Sequence, residues 1–441
     1  MDEEGIKSIT SEVLLKIKPQ KEMVDELESV VSKILQSVDI AASDLKVEAY
    51  GKLVGSVARG TWRSGEKDID IFIMLPSSMS REELEEVGLS IAKICATDFE
   101  ERYAEHPYIR AKIEGYDIDL VPAFSVDEAS KIKSAVDRTP FHNDYIKGRI
   151  DGLADEVILL KQFMSGAGVY GAELKVQGFS GYLCELLVIK YGSFFEVLKA
   201  ASDWKLGQII NMEEIGTYNS KDPFVFIDPV DPNRNVAAAV SLQSYSRFID
   251  ASRSFLDGPD LAYFFSEPVS PITKKELTDL LKERGTELIT IDFVIPDLID
   301  DILFPQLYKA EKAIIRLMNR HDFRVFSSDV WAGAGRAIIL FEMEVGRLPN
   351  IKKVIGPPVT FRGRVENFRE KHVPNPTFIE DGIYVARVPR RYTNVTDLLE
   401  NELGSCSLGK NISNSLDGCK ILKDEEIYSS ELGIFIKEFL K

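Results

Sequence analysis

The stretch Asp68-Ile-Asp-Ile-Phe-Ile-Met-Leu75, closed by Pro76, constrains this chain more than any other. Its β-branched and aromatic residues specify a strand. In a strand, residues two apart project to the same face, so Asp68 and Asp70 stand side by side. Ile69, Ile71, Phe72, Ile73 and Met74 leave no plainly polar face beyond the aspartates, which predicts a central, buried strand rather than an exposed edge. Two carboxylates on such a strand repel each other, and a divalent cation between them relieves the repulsion. Mg2+ suits this setting because it takes carboxylate and phosphate oxygens together.

Two neighbouring segments sharpen the chemistry. Gly55-Ser56 predicts a turn opening a short helix just before the aspartate strand. Glycine lets the backbone approach a ligand, and a helix start offers free N–H groups to phosphate. Ser56 adds a hydroxyl and Arg59 a positive charge. Downstream, Tyr108–Ile113 and Asp117–Val121 read as a hairpin turning near Glu114-Gly115, and Asp117-Ile-Asp119 repeats the carboxylate pattern. By itself this second pair would be a solvated hairpin face. Packed beside the first strand, it would complete a three-carboxylate site, and three acids around two metals are what in-line nucleotidyl transfer needs.

The rest of the chain reads as several domains. An amphipathic helix is expected over 19–38 from Met23, Leu27, Val30, Ile34 and Val38, then a short strand Val47–Tyr50 cut off by Gly51. Ser80 with Glu83 is a capping box that starts a helix running to about Thr97. The pattern turns helical around Leu159, Leu160 and Phe163, passes a glycine-punctuated loop from Gly166 to Gly181, and resumes over Tyr182–Tyr191. From Ser270 it is mixed: a helix from Thr273, strands at Glu287–Val294, Phe323–Phe326 and Ala337–Glu344, and a helix at Gln306–Asn319. The expected architecture is α+β and multidomain, with boundaries at 1–150, 151–275, 276–395 and 396–441.

Composition limits the remaining options. The four cysteines are scattered and form no C-x-x-C, which argues against a disulfide scaffold or a cysteine zinc site and for a reducing, cytoplasmic compartment. The acidic, polar start MDEEGIKSIT is unlike a secretory signal, and no apolar run approaches ~18 residues. The formal charge of −17 argues against bulk attraction to polyanions. Two segments run against it: Lys309–Arg324 has a balance of +3 and Ile351–Asn394 a balance of +5. Lys309, Lys312, Arg316 and Arg320 recur every three or four residues, which puts them on one helix face. Such a stripe is a solvent face or a track for nucleic-acid phosphates. Phe361, Phe368, Phe378 and Tyr384 among the arginines of the second segment make it another candidate.

GSVARGTWRSGEKDIDIFIMLP (55–76) resembles the signature of the archaeal-type (class I) tRNA nucleotidyltransferases, the CCA-adding enzymes. RYAEHPYIRAKIEGYDIDLVP (102–122), KSAVDRTPFH (133–142), VYGAELKVQGFSGYLCELL (169–187), DPVDPNRNVAAAVS (228–241) and PDLIDDILFPQL (296–307) continue the resemblance, which is clear to about residue 345. It implies a polymerase-beta-like palm domain, a helical central domain closing over the nucleotide, and an α/β body and C-terminal tail that hold tRNA. It implies stepwise, template-independent addition of C, C and A to the tRNA 3′ end from CTP and ATP, and a homodimer. The matching metal carboxylates are Asp68, Asp70 and Asp119, holding two Mg2+. Gly55, Ser56 and Arg59 match triphosphate positions. The other nucleotide contacts fall on His106, Thr139, His142, Lys161 and Tyr170, and Arg234 matches an arginine that helps select the base. Arg63 replaces a usual apolar residue, and Asn143 follows His142 where a second histidine is expected.

Apart from the resemblance, His106 and His142 would be ordinary histidines, as His321 and His372 are taken to be, Lys161 a solvated lysine and Arg234 a turn residue. Two rivals share the carboxylates: another nucleotidyltransferase, such as a poly(A) polymerase or a small-molecule enzyme, and a non-catalytic RNA-binding scaffold. Product length separates the first, and tRNA binding without turnover would mark the second.

Overall fold

The computed structural model describes residues 3–441 except 104, 217, 219, 220, 266, 268, 296, 297 and 417. Residue 104 of the 102–122 segment and residues 296 and 297 of the 296–307 segment thus lie outside the described residues, as do the first two of the chain. The chain forms two compact units, Met1–Glu267 and Pro268–Lys441.

The first unit begins with helices α1 (Glu3–Ile17) and α2 (Lys21–Asp44), strand β1 (Tyr50–Val54), the short helix α3 (Gly55–Arg59) and β2 (Asp68–Pro76). Helix α4 (Arg81–Cys95), strands β3 (Phe99–Tyr103), β4 (Pro107–Ile113) and β5 (Tyr116–Ser125), and helix α5 (Thr139–Lys147) follow. The five strands form one sheet in the order β1-β2-β5-β4-β3. Alternation sorts the side chains of β2. Ile69, Ile71, Ile73 and Leu75 join the core under α2 and α4. Phe72 and Met74 meet Val54 and Ala123 on the opposite face, the one that carries the aspartates. Leu27, Val30, Ile34 and Val38 of α2 are buried in that main core, each contributing roughly 1.5–3 kcal/mol of burial.

Sequence and structure differ instructively around Gly51. The strand expected at Val47–Tyr50 lies instead at Tyr50–Val54, so Gly51 sits inside it. A Cβ on Gly51 would come within 2.7 Å of Leu35 Cδ2. The glycine permits close packing of β1 on α2 and does not end the strand. The capping box at Ser80 forms, with the Glu83 N–H donating to Ser80 Oγ and Glu83 Oε2 accepting from the Ser80 N–H.

Helices α6 (Ala154–Gly166), α7 (Gly181–Tyr191), α8 (Phe194–Ser202) and α9 (Leu242–Asp257) build the rest of this unit, with a small parallel pair, β6 (Gln208–Ile210) and β7 (Phe224–Phe226). Phe163 lies among Phe194, Phe248, Phe255 and Phe264 at their centre. Helix α1 contributes Ile6, Val13 and Ile17 to this helical core, not to the core of the sheet.

In the second unit come α10 (Lys274–Arg284), β8 (Glu287–Val294), α11 (Asp300–Arg320), β9 (Arg324–Gly333), β10 (Arg336–Val345), β11 (Ile351–Pro358), α12 (Arg362–His372), β12 (Thr377–Glu380), β13 (Ile383–Pro389), α13 (Val395–Glu402), β14 (Lys420–Lys423) and α14 (Gly433–Phe439). The main sheet runs β14-β8-β10-β9. Ile339, Phe341 and Met343 of β10 face α11, while Ile338 and Leu340 face α10 and α14. Helix α11 starts six residues before the expected Gln306 and carries Pro305 in its first turns. The segment 396–441 supplies β14 and α14, a strand and a covering layer of this body.

Helix α4 touches β5 through Gly88, where a Cβ would lie 2.5 and 2.6 Å from the rigid ring of Pro122. Gly88→Ala gains up to about 1 kcal/mol of helix propensity but overpacks that contact, which costs roughly 1–3 kcal/mol. The variant should therefore melt below the wild type by calorimetry; a higher melting temperature would refute this packing.

Candidate active site

Strands β2 and β5 run parallel, with Asp68 opposite Asp117 and Asp70 opposite Asp119. The register brings the two aspartate pairs side by side on one face of the sheet. Gly55, at φ +78°, turns the chain from β1 into α3 beside them. A Cβ there would sit 2.3 Å from Asp70 Oδ2, so only glycine lets the Gly55-Ser56 turn lie against that carboxylate.

The cluster is electrostatically incomplete. Burial, then the charges of Asp119 and Asp68, raise the Asp70 carboxyl from 3.8 to about 6, against the pull of Arg59 and Arg110. Burial likewise raises Asp119, although Arg110 opposes it. Asp119 Oδ1 is buried with no hydrogen-bond partner. Arg110 of β4 pairs with Asp68 and lies 3.7 Å from Asp119 Oδ2. Asp117 turns aside to Lys112 at 3.9 Å.

Among the described residues no three His, Cys, Asp or Glu side chains close into a metal-ligand set; Asp68 points to Arg110 and is 65 % exposed. The donors still fit a hard divalent cation. They are all carboxylate oxygens, one is buried and orphaned, and a cation would relieve the repulsion that raises Asp70.

A second group gathers around Glu185 of α7. This fully buried carboxylate accepts from Arg59 Nε at 2.9 Å and from Thr61 Oγ1 at 2.5 Å. Arg59 Nη1 also donates to Asn143 Oδ1 at 3.3 Å. Lys161 of α6 is 1 % exposed and donates to the Thr61 carbonyl at 2.8 Å. Burial lowers its pKa, with Glu185 opposing. Tyr170 lies beside it: a Cβ on Gly181 would be 3.2 Å from the Tyr170 hydroxyl and 3.6 Å from Lys161 Nζ. Arg63, the residue found where an apolar one was expected, stacks over Tyr170 at 4.8 Å and is held by Glu66, Gln162 and Ser165.

A third group contains His142 and Arg234, which both bind Asp228, at 2.9 and 2.8 Å. Thr139 opens α5, one turn before His142. His106 is buried between β3 and β4, its Nδ1 3.4 Å from Glu85 and its Nε2 without a partner. In the second unit Lys309, Lys312, Arg316 and Arg320 are exposed on α11 while Ala310, Ile314 and Leu317 are buried. Arg316 and Arg320 line a surface recess with Ser405 and Ser407. Arg364 stacks on Phe361 and Arg387 on Phe378 in the other basic segment.

Sequence reasoning missed Arg110, Glu185 and Asp228. Glu185 had a signal, being an acid inside the apolar run GYLCELLVIKY. Asp228 opens the DPVDPNRN segment but has no spacing that marks it. Arg110 is an ordinary strand residue until its register is known.

Known families account for most of the chain. Residues 33–142 match the nucleotidyltransferase domain, 155–265 the second domain of tRNA nucleotidyltransferase, and 284–424 the C-terminal domain of CCA-adding enzyme. A CCA-adding enzyme of Methanosarcina barkeri is 46% identical over 94% of this chain and 93% of its own length. Those of Methanoregula boonei and Methanothermobacter thermautotrophicus are 41% and 38% identical, over 96% and 98% of this chain and 93% and 96% of theirs.

The raised Asp70 carboxyl makes a prediction about stability. Between pH 3.8 and about 6 the folded chain keeps a proton that the unfolded chain has released, so stability falls as pH rises through that window. Above it the ionised group costs the fold at most about 3 kcal/mol. In chelator at pH 7, Asp70→Asn should melt above the wild type, and the difference should shrink towards pH 4. A variant melting lower at pH 7 would contradict this origin of the shift.

Proposed function

The chain belongs to the archaeal-type CCA-adding enzymes, and we propose that its chemistry takes place at Asp68, Asp70 and Asp119 on the palm sheet. It adds C, C and A in turn to the 3′ end of tRNA from CTP and ATP, without a template and with release of pyrophosphate, so maturing and repairing the tRNA terminus. The observation that supports this placement is the β2–β5 register, which sets Asp70 against Asp119 beside the Gly55-Ser56 turn.

The fold is a nucleotidyltransferase one, and such enzymes generally use divalent metal. On our reading Asp68, Asp70 and Asp119 hold two Mg2+, which when bound supply charge neutralisation at the phosphates and lower the pKa of the attacking hydroxyl. The protein orients the other participants. The Gly55-Ser56 backbone and the Ser56 hydroxyl receive the triphosphate. Arg59, Lys161 and Tyr170 supply cationic and hydroxyl donors to it. The 3′ hydroxyl gives up its proton to water as its oxygen attacks the α-phosphorus in line; the bond from that phosphorus to the oxygen bridging to the β-phosphate breaks, and that oxygen leaves with pyrophosphate.

His106, Thr139, His142 and Arg234 serve the ribose and base. Arginine is a donor only. C and A both offer a ring-nitrogen acceptor beside an amino group on their pairing edge, whereas U and G carry an N–H there. Arg234 therefore suits both accepted bases. The basic stripe Lys309, Lys312, Arg316 and Arg320 holds tRNA by phosphate and 2′-hydroxyl contacts, largely independent of sequence. We take the protein to act as a cytoplasmic homodimer, a state that light scattering checks; no described helix is long and apolar enough to cross a membrane.

With Mg2+ and a tRNA lacking its last three nucleotides, CTP alone should give two additions, and CTP with ATP should stop at three. An open A ladder would make the protein a poly(A) polymerase. Asp70→Ala should keep the fold and lose incorporation; activity like the wild type's would refute the carboxylate assignment. Replacing Arg316 and Arg320 by Ala should weaken tRNA binding and lower its salt slope by about one per lost contact. An unchanged slope would remove them from the track.

A further inference from the structure

The carboxylate of Asp228, shortly after β7, is fully buried and is not part of the transfer chemistry. Its backbone N–H donates to the Arg234 carbonyl at 3.0 Å, and the Val230 N–H donates back to Oδ1 at 2.9 Å. The side chain thus closes the loop that carries Arg234. Oδ2 accepts from Arg234 Nη1 at 2.8 Å and from His142 Nε2 at 2.9 Å. The Tyr182 hydroxyl lies 3.4 Å from Oδ1, and its ring stacks on His142 with centroids 4.1 Å apart. Both oxygens are engaged by the chain itself. The Arg234 side chain remains 37 % exposed.

We infer that Asp228 is a positioning residue that fixes Arg234 and His142 together and thereby sets selectivity for CTP and ATP over UTP and GTP. The inference rests on the reading of Arg234 as the base-selecting group. An unrestrained arginine carries large rotamer entropy, which binding must overcome each time. A charge-assisted bond to a buried carboxylate removes most of that freedom beforehand. It also leaves the outer N–H groups of Arg234 in one orientation, so that an acceptor on the base is favoured and a donor is opposed. The same carboxylate takes the Nε2–H of His142, which leaves Nδ1 as that ring's acceptor. One buried charge therefore orders a donor and an acceptor at once.

The test compares single-nucleotide incorporation from CTP, ATP, UTP and GTP into truncated tRNA by the wild type, Asp228→Asn, Arg234→Ala and the double variant. Asp228→Asn should raise KM for CTP and ATP roughly tenfold, the loss expected from weakening one buried charge pair, with kcat little changed. Its correct-to-incorrect ratio of kcat/KM should fall towards that of Arg234→Ala, and the double variant should be no worse than Arg234→Ala. A merely structural role would lower all four nucleotides alike and leave the ratio intact. The ratio cancels the fraction of folded enzyme, so it stays readable if stability drops. Should Asp228→Asn not fold, Asp228→Glu, which moves the charge by one methylene, is read the same way. A wild-type ratio in the Asp228 variant, or full additivity in the double variant, would overturn the proposal. Arg234→Ala with wild-type selectivity would overturn the base-site reading beneath it.

Discussion

The site depends on an unresolved repulsion. The parallel register of β2 and β5 forces Asp70 and Asp119 together on one face of the sheet, and burial keeps water from screening them. Arg110 and Arg59 offset only part of the charge, as the raised Asp70 carboxyl records. A fold selected for stability alone would place apolar residues there. This one keeps the acids at its centre and secures the sheet with the apolar residues of the opposite face. The arrangement is a local conflict between stability and chemistry, of the kind found at functional sites.

Around that cluster the first unit uses buried carboxylates as fixed points. Glu185 ties Arg59 and Thr61 of the palm to α7 of the helical layer, with Lys161 against the same threonine. Asp228 ties α5 to the loop after β7 through His142 and Arg234. Each acid is fully buried and each engages cationic or polar groups proposed to meet the nucleotide. Charge-assisted bonds of this kind give orientation as well as energy, which is what a site handling two different bases with one set of side chains requires.

Much of the fold was legible because local rules governed it. The aspartate strand, the capping box at Ser80, the turn at Glu114-Gly115 and strand Glu287–Val294 lie where pattern and cap chemistry put them. The misreadings have tertiary causes. Gly51 resembles a strand terminator, yet its missing side chain serves the packing of α2. The start of α11 was hidden by Pro305, which reads as a helix breaker but lies inside the helix, in its second turn. The segment after residue 396 has no strong pattern of its own and gains its strand by pairing with β8.

The sequence by itself determined which groups could do chemistry: an Asp-x-Asp on an apolar strand, a glycine turn ahead of it, and a second Asp-x-Asp on a hairpin. It did so because side-chain alternation in a strand is a local property with a period of two. Only the tertiary structure decided that the second pair lies against the first, that Arg110 stands between Asp68 and Asp119, and that Glu185 and Asp228 hold the cations of the site. Those are contacts between residues far apart in the chain, fixed by strand register and helix packing, and no local pattern encodes them.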